Sequence, residues 1–267
     1  MSHKEHTGHI KQARIIAIAN QKGGVGKTTT VHCLVTGLSY KGYKVLAVDT
    51  DPQGNLTYTM NADENKSGVY ELLKGNIAPL EAIQNTEQGD IISGSLMLSG
   101  ADMEFSETGR EYLLSEALEP LRVNYDFIII DSPPTLGILT INALTAAHDL
   151  IIPMGADAYS LQGLSQLNAT IGKVKKRCNP ALNIAGLLIT RYSGRAILSQ
   201  ELRKTIEGKA ARAVGTSVFQ TIIRESVSIR EAQAEQSSLF DNSAKSIGSL
   251  DYLNFVDEVI KYVLQRL

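Results

Sequence analysis

Five short runs of contiguous apolar residues constrain the fold of this chain more than any other feature. They lie at residues 14–20, 44–49, 126–131, 149–154 and 183–190. Contiguous rather than alternating apolar residues are typical of strands that are covered on both faces, as in a parallel sheet. Residues 90–94 are predicted to form a shorter strand, and residues 215–223 are a candidate for a further one.

Helical patterns separate these runs. They cover residues 27–41, 107–119, 136–147, 160–177, 196–208 and 243–266. This alternation predicts an α/β fold, a doubly wound and mainly parallel sheet with helices on both faces. Because no repeat or convincing linker divides the chain, we expect one domain over residues 14–267, preceded by a disordered tail over residues 1–13.

The segment NQKGGVGKTTT, residues 20–30, follows the first predicted strand and opens the first predicted helix. This is the context that a phosphate-binding loop requires. Its glycines let backbone N–H groups approach phosphate oxygens, and the helix N-terminus adds partial positive charge. We expect Lys27 to reach the β- and γ-phosphates and the Thr28 hydroxyl to bind Mg²⁺.

A second lysine distinguishes this loop from the standard pattern G-x-x-x-x-G-K-[ST]. Gln21 stands where that pattern has its first glycine, and Lys22 follows it. A second ammonium beside Lys27 costs repulsion in the ligand-free protein. Its presence indicates that the loop also contacts a second polyanionic surface.

Aspartates end two other predicted strands. Asp49 and Asp51 close the strand that begins at residue 44, and Asp131 closes the run FIIID. Ligands of α/β proteins bind at the carboxyl ends of the strands, where a carboxylate can hold a Mg²⁺-bound water or orient an attacking water. Turn formation alone would also explain these aspartates. The preceding phosphate loop favours the functional interpretation.

These motifs together resemble those of the ParA/MinD/Soj superfamily of ATPases. Residues 22–28 resemble its deviant Walker A motif, K-G-G-x-G-K-[ST], and residues 49–55 its switch I segment, D-x-D-P-Q-G-N. Residues 127–134 resemble its Walker B strand and the switch II loop that follows. Further segments similar to Soj-type ParA proteins occur in order at residues 110–121, 133–154, 159–167 and 186–192.

The resemblance implies a P-loop NTPase fold of the deviant Walker A type, with ATP and Mg²⁺ as cofactors. It implies that Lys22 contacts the phosphates of the nucleotide held by the partner subunit, so that two subunits sandwich two ATP molecules. By the same resemblance, Asp51 positions the hydrolytic water, Asp49 supports Mg²⁺ and Asp131 binds a magnesium water.

The site residues inferred in this way form three sets. The catalytic set is Lys22, Lys27 and Asp51. The nucleotide-binding set is Lys22, Gly23, Gly24, Val25, Gly26, Lys27, Thr28, Thr29, Thr190 and Arg191, of which the last two lie where the resemblance places the adenine. The metal set is Thr28, Asp49 and Asp131.

One segment departs from the family pattern. Family members carry a sequence such as P-R-N-V-R before a Glu-Ala pair, whereas residues 224–228 of this chain read RESVS. Arg224 takes the place of the proline, and Glu225 and Ser228 take the places of the two arginines. The usual adenine packing and one usual DNA contact are therefore not assumed at this segment.

The distribution of charge points to nucleic acid. Residues 171–212 hold ten basic and two acidic side chains, a net charge of +8 in a chain of net charge −2. Such asymmetry can form a basic face on an acidic protein, and we expect it to bind double-stranded DNA without sequence preference. The alternative is two solvated helix faces that never converge. The residues assigned to DNA contact are Lys173, Lys175, Lys176, Arg195, Arg203 and Lys204.

Other features exclude or disfavour several classes of protein. No run of 18 apolar residues occurs, and the N-terminus lacks the apolar core of a secretory signal. Cys33 and Cys178 are isolated, which fits a reducing cytoplasm and argues against an iron–sulfur carrier. Acidic residues outnumber basic ones in the C-terminal helix, so its apolar stripe is expected to join the core rather than adsorb to a membrane.

The sequence therefore predicts a short-form ParA-type partition ATPase of the cytoplasm, associated with the nucleoid. Mg-ATP would drive formation of a homodimer, and the dimer would bind DNA non-specifically. Hydrolysis, slow without help and stimulated by a ParB-like centromere-binding protein, would release it. Two alternatives stay open, a MinD-like membrane-cycling spatial regulator and a regulatory DNA-binding protein without turnover.

Overall fold

The computed structural model describes residues 12–155, 160–193 and 197–266, and its centre is a seven-stranded sheet. The strands are β1 (Arg14–Ile18), β2 (Val45–Asp49), β3 (Ile83–Thr86), β4 (Gly89–Ile92), β5 (Phe127–Asp131), β6 (Asp149–Gly155) and β7 (Asn183–Thr190). They lie in the order β3-β4-β2-β5-β1-β6-β7, and every pairing is parallel except that of β3 with β4. The predicted fold class is confirmed.

Helices cover the sheet and connect its strands. They are α1 (Lys27–Tyr40), α2 (Asn55–Thr59), α3 (Val69–Leu73), α4 (Ala101–Glu104), α5 (Leu113–Leu118), α6 (Ile138–Ala146), α7 (Ser160–Arg177), α8 (Ile197–Thr205), α9 (Ala211–Val214), α10 (Val227–Ala234), α11 (Leu239–Asn242) and α12 (Ile247–Leu264). Leu96–Gly100 and Glu119–Leu121 form 3-10 turns, and the π-helical stretch Ile206–Ala210 joins α8 to α9.

Two apolar cores lie on opposite faces of the sheet. Along β1, Ile15 and Ala17 enter one core, whereas Ile16 and Ile18 enter the other. Side chains of α3–α7 and α9 complete the first core, and side chains of α1, α2 and α10–α12 complete the second. Because both faces are covered, the strand sequences read as contiguous apolar runs.

A glycine allows α1 to approach α12 and α11 closely. A Cβ atom added at Gly37 would lie 2.7 Å from Cγ2 of Val256 and 3.1 Å from Cε2 of Phe240. Both of these neighbours are buried. Since a packed interior cannot easily give way, the absence of a side chain at this position is a packing requirement.

We expect Gly37→Ala to lower the free energy of unfolding by about 1–3 kcal/mol, because the added methyl overpacks the second core. Gly172→Ala is the matched control, since Gly172 lies within α7 with no atom within 4 Å of an added Cβ. That change should leave stability unchanged or raise it by up to about 1 kcal/mol through helix propensity. Denaturant unfolding measures both, and equal effects of the two changes would contradict the packing argument.

The candidate strand over residues 215–223 is wrong. This segment follows the edge of β7 through single bridges, Leu187 with Val218 and Tyr192 with Arg224. Regular pairing stops between them, because the Glu258 carboxylate accepts the backbone N–H groups of Gln220 and Thr221 at 2.7 and 3.0 Å. A side chain from α12 thus satisfies the Thr221 donor, which the alternation along a strand would have directed at β7.

Predicted boundaries of two helices also require correction. The helix expected over residues 107–119 begins only at Leu113, and Gly109 before it has a φ of 90°, which a right-handed helix cannot contain. The C-terminal helix begins at Ile247 rather than residue 243, because the Ser246 side chain accepts the N–H of Ser249 and caps it there.

The segment before β1 overlaps the expected N-terminal tail. Residues 1–11 lie outside the described residues. Ala13 is buried, and its N–H donates to the carbonyl of Arg122 at 2.8 Å. The packed part of the chain therefore includes this residue.

Candidate nucleotide-binding site

The carboxyl ends of three central strands meet at one edge of the sheet. Asp131 of β5 is in register with Ile18 of β1 on one side and with Asp49 of β2 on the other. The glycine-rich loop leaves β1 at this edge and leads into α1. Parallel strands therefore bring the loop and the strand-end aspartates, far apart in sequence, into one place.

The shape of the glycine-rich loop depends on two left-handed glycines and one asparagine. Gly24 and Gly26 have φ angles of 71° and 84°, which other residues adopt only at a cost. The Asn20 side chain accepts the N–H of Lys22 at 3.0 Å and donates to the carbonyl of Pro153 at 2.6 Å. The loop is thereby tied to β6 through the carbonyl of Pro153.

Lys27 is buried at the bottom of this loop. Its Nζ donates to the carbonyl of Lys22 at 3.3 Å, and only 7% of the residue is exposed. Burial lowers the pKa of its ammonium, while Asp131 and Asp51 act in the opposite direction. The ammonium thus lies near carboxylates and donates to a loop carbonyl. From this position it can exchange the carbonyl for a phosphate oxygen as its hydrogen-bond acceptor.

Asp131 is a buried carboxylate whose oxygens accept no well-formed hydrogen bond from the described part of the chain, although the Thr28 hydroxyl lies nearby. Among the described residues, neither of its oxygens has a hydrogen-bond partner, and the residue is fully buried. Burial raises the pKa of Asp131 well above its ordinary value, and nearby Asp49 adds to this, whereas Thr28 and Lys27 oppose it. Buried acceptors without partners are rare in folded proteins and mark a place for a missing ion or water. The site therefore fits a divalent cation.

Asp49 organises the turn that follows β2. Its Oδ2 accepts both the N–H and the hydroxyl of Thr57, at 2.9 and 2.7 Å, and its Oδ1 accepts the N–H of Asp51 at 3.1 Å. Burial raises its pKa to about 6. Both oxygens already accept hydrogen bonds, so the geometry favours a supporting role, and a part in the Mg²⁺ site stays a prediction.

The described residues contain no group of three or more His, Cys, Asp or Glu side chains arranged to hold a metal by themselves. Mg²⁺ is usually held by one or two carboxylates together with substrate phosphates and waters. Asp131 and the Thr28 hydroxyl could supply the protein ligands here, and the nucleotide would supply the others.

A cavity of about 710 Å³ opens over the loop. Of the predicted nucleotide-binding residues, those that line it are Gly23, Gly24, Gly26, Lys27, Thr28, Thr29, Thr190 and Arg191, whereas Lys22 and Val25 do not. Asp51 also lines it, and the Asp51 carboxylate accepts the N–H of Gln53 at 3.0 Å. A volume of this size lies within the usual range for small-molecule and cofactor sites.

Thr190 and Arg191, at the end of β7, contact the loop directly. The Thr190 hydroxyl donates to the carbonyl of Val25 at 2.8 Å, and Nη1 of Arg191 donates to the carbonyl of Gly24 at 3.0 Å. Arg191 has a φ of 51°, which is uncommon for a residue with a side chain. Besides lining the cavity, the two residues therefore support the loop, a role that the sequence did not indicate.

Several supporting residues were missed because their partners lie far away in the chain. The Gln233 side chain of α10 donates to the Thr29 hydroxyl at 3.0 Å, and the hydroxyls of Tyr252 and Thr30 lie 3.3 Å apart. No local motif marks Gln233 or Tyr252. Only the packing of α10 and α12 against α1 brings them to the cavity.

Four of the residues assigned to DNA contact are exposed lysines of α7 and α8. Lys173, Lys175 and Lys176 are exposed on α7, and Lys204 is exposed on α8. The remaining members are Arg203, whose Nε lies 2.7 Å from the Glu207 carboxylate, and Arg195, which lies outside the described residues. The Asn168 side chain of α7 donates to the carbonyl of Ala213 in α9 at 3.0 Å, so α7 contacts α9. That the lysines of α7 and α8 converge on one face stays a prediction.

The apolar stripe of α12 faces the second core, as expected. The buried members are Tyr252, Phe255, Val256, Val259 and Val263, whereas Leu264 is 49% exposed. Within the described ranges, no helix combines the length and the apolar character needed to cross a bilayer.

Comparison with known proteins adds relatives that cover most of the chain. The AAA domain family matches residues 13–184. The sporulation initiation inhibitor protein Soj of Bacillus subtilis is 40% identical, over 92% of this chain and 98% of its own length. The chromosome partitioning protein ParA of Caulobacter vibrioides is 37% identical, over 92% and 94%.

A solved structure supports the same fold. A crystal structure described as cobyrinic acid a,c-diamide synthase from Mycobacterium smegmatis, with bound ADP and magnesium, has a TM-score of 0.84 and 34% identity. The match covers 96% of this chain and 97% of that one. The identity to Soj and to ParA is higher than the identity to this structure, and both relatives match nearly from end to end. The chain belongs to the ParA/Soj family of partition ATPases.

Proposed function

We propose that this protein is a DNA-partition ATPase that binds ATP with Mg²⁺, dimerises around the nucleotide and holds DNA until hydrolysis. One observation carries the proposal. A phosphate loop with a buried lysine lies beside Asp131, a buried carboxylate that accepts no well-formed hydrogen bond from the described residues. That combination is suited to a magnesium-bound polyphosphate and has no evident structural purpose without one.

The residues of the loop divide the task of binding the nucleotide. Backbone N–H groups of the loop and the start of α1 would receive the phosphates, and Lys27 would leave the Lys22 carbonyl to neutralise them. The Thr28 hydroxyl and Asp131 would hold Mg²⁺, which when bound offsets charge on the β- and γ-phosphates.

Asp51 is the residue proposed to orient the attacking water. It lies at the cavity surface only 7% exposed, and the Gln53 N–H fixes one of its oxygens. A carboxylate in this setting can accept a proton from water or hold the water in line with the γ-phosphate. Asp49 supports it through the hydrogen bond to its backbone N–H.

A homodimer follows from the proposed role of Lys22. The two lysines of the loop serve different sites in this proposal, Lys27 its own nucleotide and Lys22 that of the partner subunit. Two triphosphates held face to face repel one another unless cations lie between them. ATP favours the dimer only to the extent that it binds the dimer better than the monomer, so hydrolysis returns the equilibrium to monomers.

DNA is the proposed partner of the basic face. The exposed lysines of α7 and α8 would contact phosphates without reading bases. A dimer presents two such faces, which raises affinity through multivalency. Nucleoid DNA would then localise the ATP-bound form, and a ParB-like centromere-binding protein would stimulate hydrolysis.

DNA binding measured at rising salt, with Mg-ATP, with Mg-ADP and without nucleotide, tests this function. We expect Mg-ATP to give the tightest binding, by at least about tenfold over Mg-ADP, because only ATP yields the bivalent dimer. The logarithm of the affinity should fall linearly with the logarithm of salt concentration. Equal binding with ADP and with ATP would refute the proposed switch.

Paired lysine variants refine this measurement. The double change Lys175→Ala and Lys176→Ala should reduce the salt slope by about 0.9 for each DNA phosphate that the variant no longer neutralises. The control is the double change Lys44→Ala and Lys66→Ala, which removes the same charge from exposed positions outside the basic segment. Similar slopes for the two double variants would show that the α7 lysines do not bind DNA.

A further inference from the structure

The cavity extends well beyond the phosphate loop. Its far wall consists of the segment after the β7 edge and of α10, with the lining residues Ile223, Arg224, Glu225, Ile229, Arg230 and Gln233. The Gln233 side chain donates to the hydroxyl of Thr29, in the first turn of α1. A nucleotide with its phosphates on the loop can therefore direct its sugar and base towards this wall.

Arg224 presents a fixed planar group on this wall. Its Nε and Nη2 donate to the Asp251 carboxylate at 2.9 and 2.6 Å, and its backbone N–H donates to the same carboxylate at 3.0 Å. Asp251 is only 5% exposed, whereas half of the Arg224 side chain is exposed. A buried carboxylate thus holds an accessible guanidinium in one orientation.

We propose that the guanidinium of Arg224, held by Asp251, is the surface on which the nucleobase packs. This inference rests on the proposed function and identifies how this chain recognises the non-phosphate part of its ligand. A guanidinium stacks on aromatic faces through cation–π and dispersion forces, and its plane loses little freedom when it is already ordered. A lysine at this position could not form the two side-chain hydrogen bonds that Arg224 makes with the Asp251 carboxylate.

An ordered guanidinium offers a base a flat surface and adds attraction to the π-electrons of that base. The interaction should favour purines over pyrimidines, because a larger ring system covers more of the guanidinium.

Binding of Mg-ADP and of magnesium pyrophosphate to Arg224→Lys tests the proposal, because only ADP carries a base and neither ligand requires the dimer. Lysine keeps a positive charge near Asp251 but loses the plane. We expect ADP to bind roughly five- to tenfold more weakly, in the range of a partly exposed cation–π contact, and pyrophosphate to bind as in the wild type. Isothermal titration calorimetry measures both, and Arg224→Gln provides a second variant if the first fails to fold.

The matched control is Arg122→Lys, which alters another arginine–carboxylate pair, that of Arg122 with Glu119, outside the cavity lining. It should leave both affinities unchanged. Wild-type ADP affinity in the folded Arg224 variants would overturn the inference, and so would an equal loss of ADP and pyrophosphate binding, which would place the effect on the phosphates or the fold. A wild-type chain that binds neither ligand would defeat the proposed function, and the inference with it.

Discussion

Asp51→Asn is expected to abolish most ATP hydrolysis while ATP binding and ATP-dependent dimers persist. The amide keeps an oxygen to accept the N–H of Gln53, at 3.0 Å in the structure, so the turn should retain its shape. It cannot act as a base or hold a water by a charge-assisted hydrogen bond, and such groups contribute about 10²–10⁴-fold to rate. Phosphate release should therefore fall by at least about 10²-fold.

Asp63→Asn is the matched control for this change. Asp63 also accepts the N–H of the residue two positions later, that of Asn65 at 3.0 Å, but it is exposed and outside the cavity lining. Its substitution should leave phosphate release unaltered. Wild-type turnover by the Asp51 variant would remove Asp51 from the mechanism. Loss of nucleotide binding in a folded Asp51 variant would assign it to binding instead.

Lys22→Ala is expected to eliminate ATP-dependent dimers while nucleotide affinity of the single subunit stays within a few-fold of the wild type. Dimer formation and nucleotide binding are expected to separate because the backbone carbonyl of residue 22, which accepts the hydrogen bond from Lys27 Nζ, remains in the variant. The side chain is not among the groups that line the cavity of its own subunit. Removing one cation from between two triphosphates restores repulsion that a weak interface cannot offset.

Sedimentation velocity with Mg-ATP and titration with Mg-ADP measure the two quantities for Lys22→Ala. Lys44→Ala serves as its control, since it removes the same charge from an exposed position before β2. A Lys22 variant that still dimerises with ATP would disprove the role across the interface. One that loses ADP affinity as strongly as a Lys27 variant would show that both lysines serve the same nucleotide.

The regular parts of the fold could be predicted from sequence because the strands are buried on both faces. Their apolar runs indicated β1, β2, β5, β6 and β7, and the spacing of glycines and Lys27 located the phosphate loop. Short elements such as α2, with five residues, carry too little periodic pattern to be recognised. The segment 215–223 has the composition of a strand, yet the distant Glu258 takes the Thr221 N–H group that pairing would need.

The chemistry of the site could be predicted only in part. Residue types and positions indicated a place for phosphate and Mg²⁺, but that Asp131 accepts no well-formed hydrogen bond from the described residues is a property of the folded environment. The same holds for Asp49, whose oxygens accept from Thr57 and from the next-but-one residue. Arg224 and Asp251 are 27 positions apart, with α10 and α11 between them, so no local motif could have indicated their pairing.

Two consecutive residues of α12 join opposite sides of the cavity. Asp251 holds Arg224 on the far wall, and Tyr252 reaches Thr30 in the helix that follows the phosphate loop. Any sub-global opening that detaches the C-terminal helix therefore dismantles the nucleotide cavity from both sides at once. Amide hydrogen exchange along α12 should therefore report how often this cavity opens.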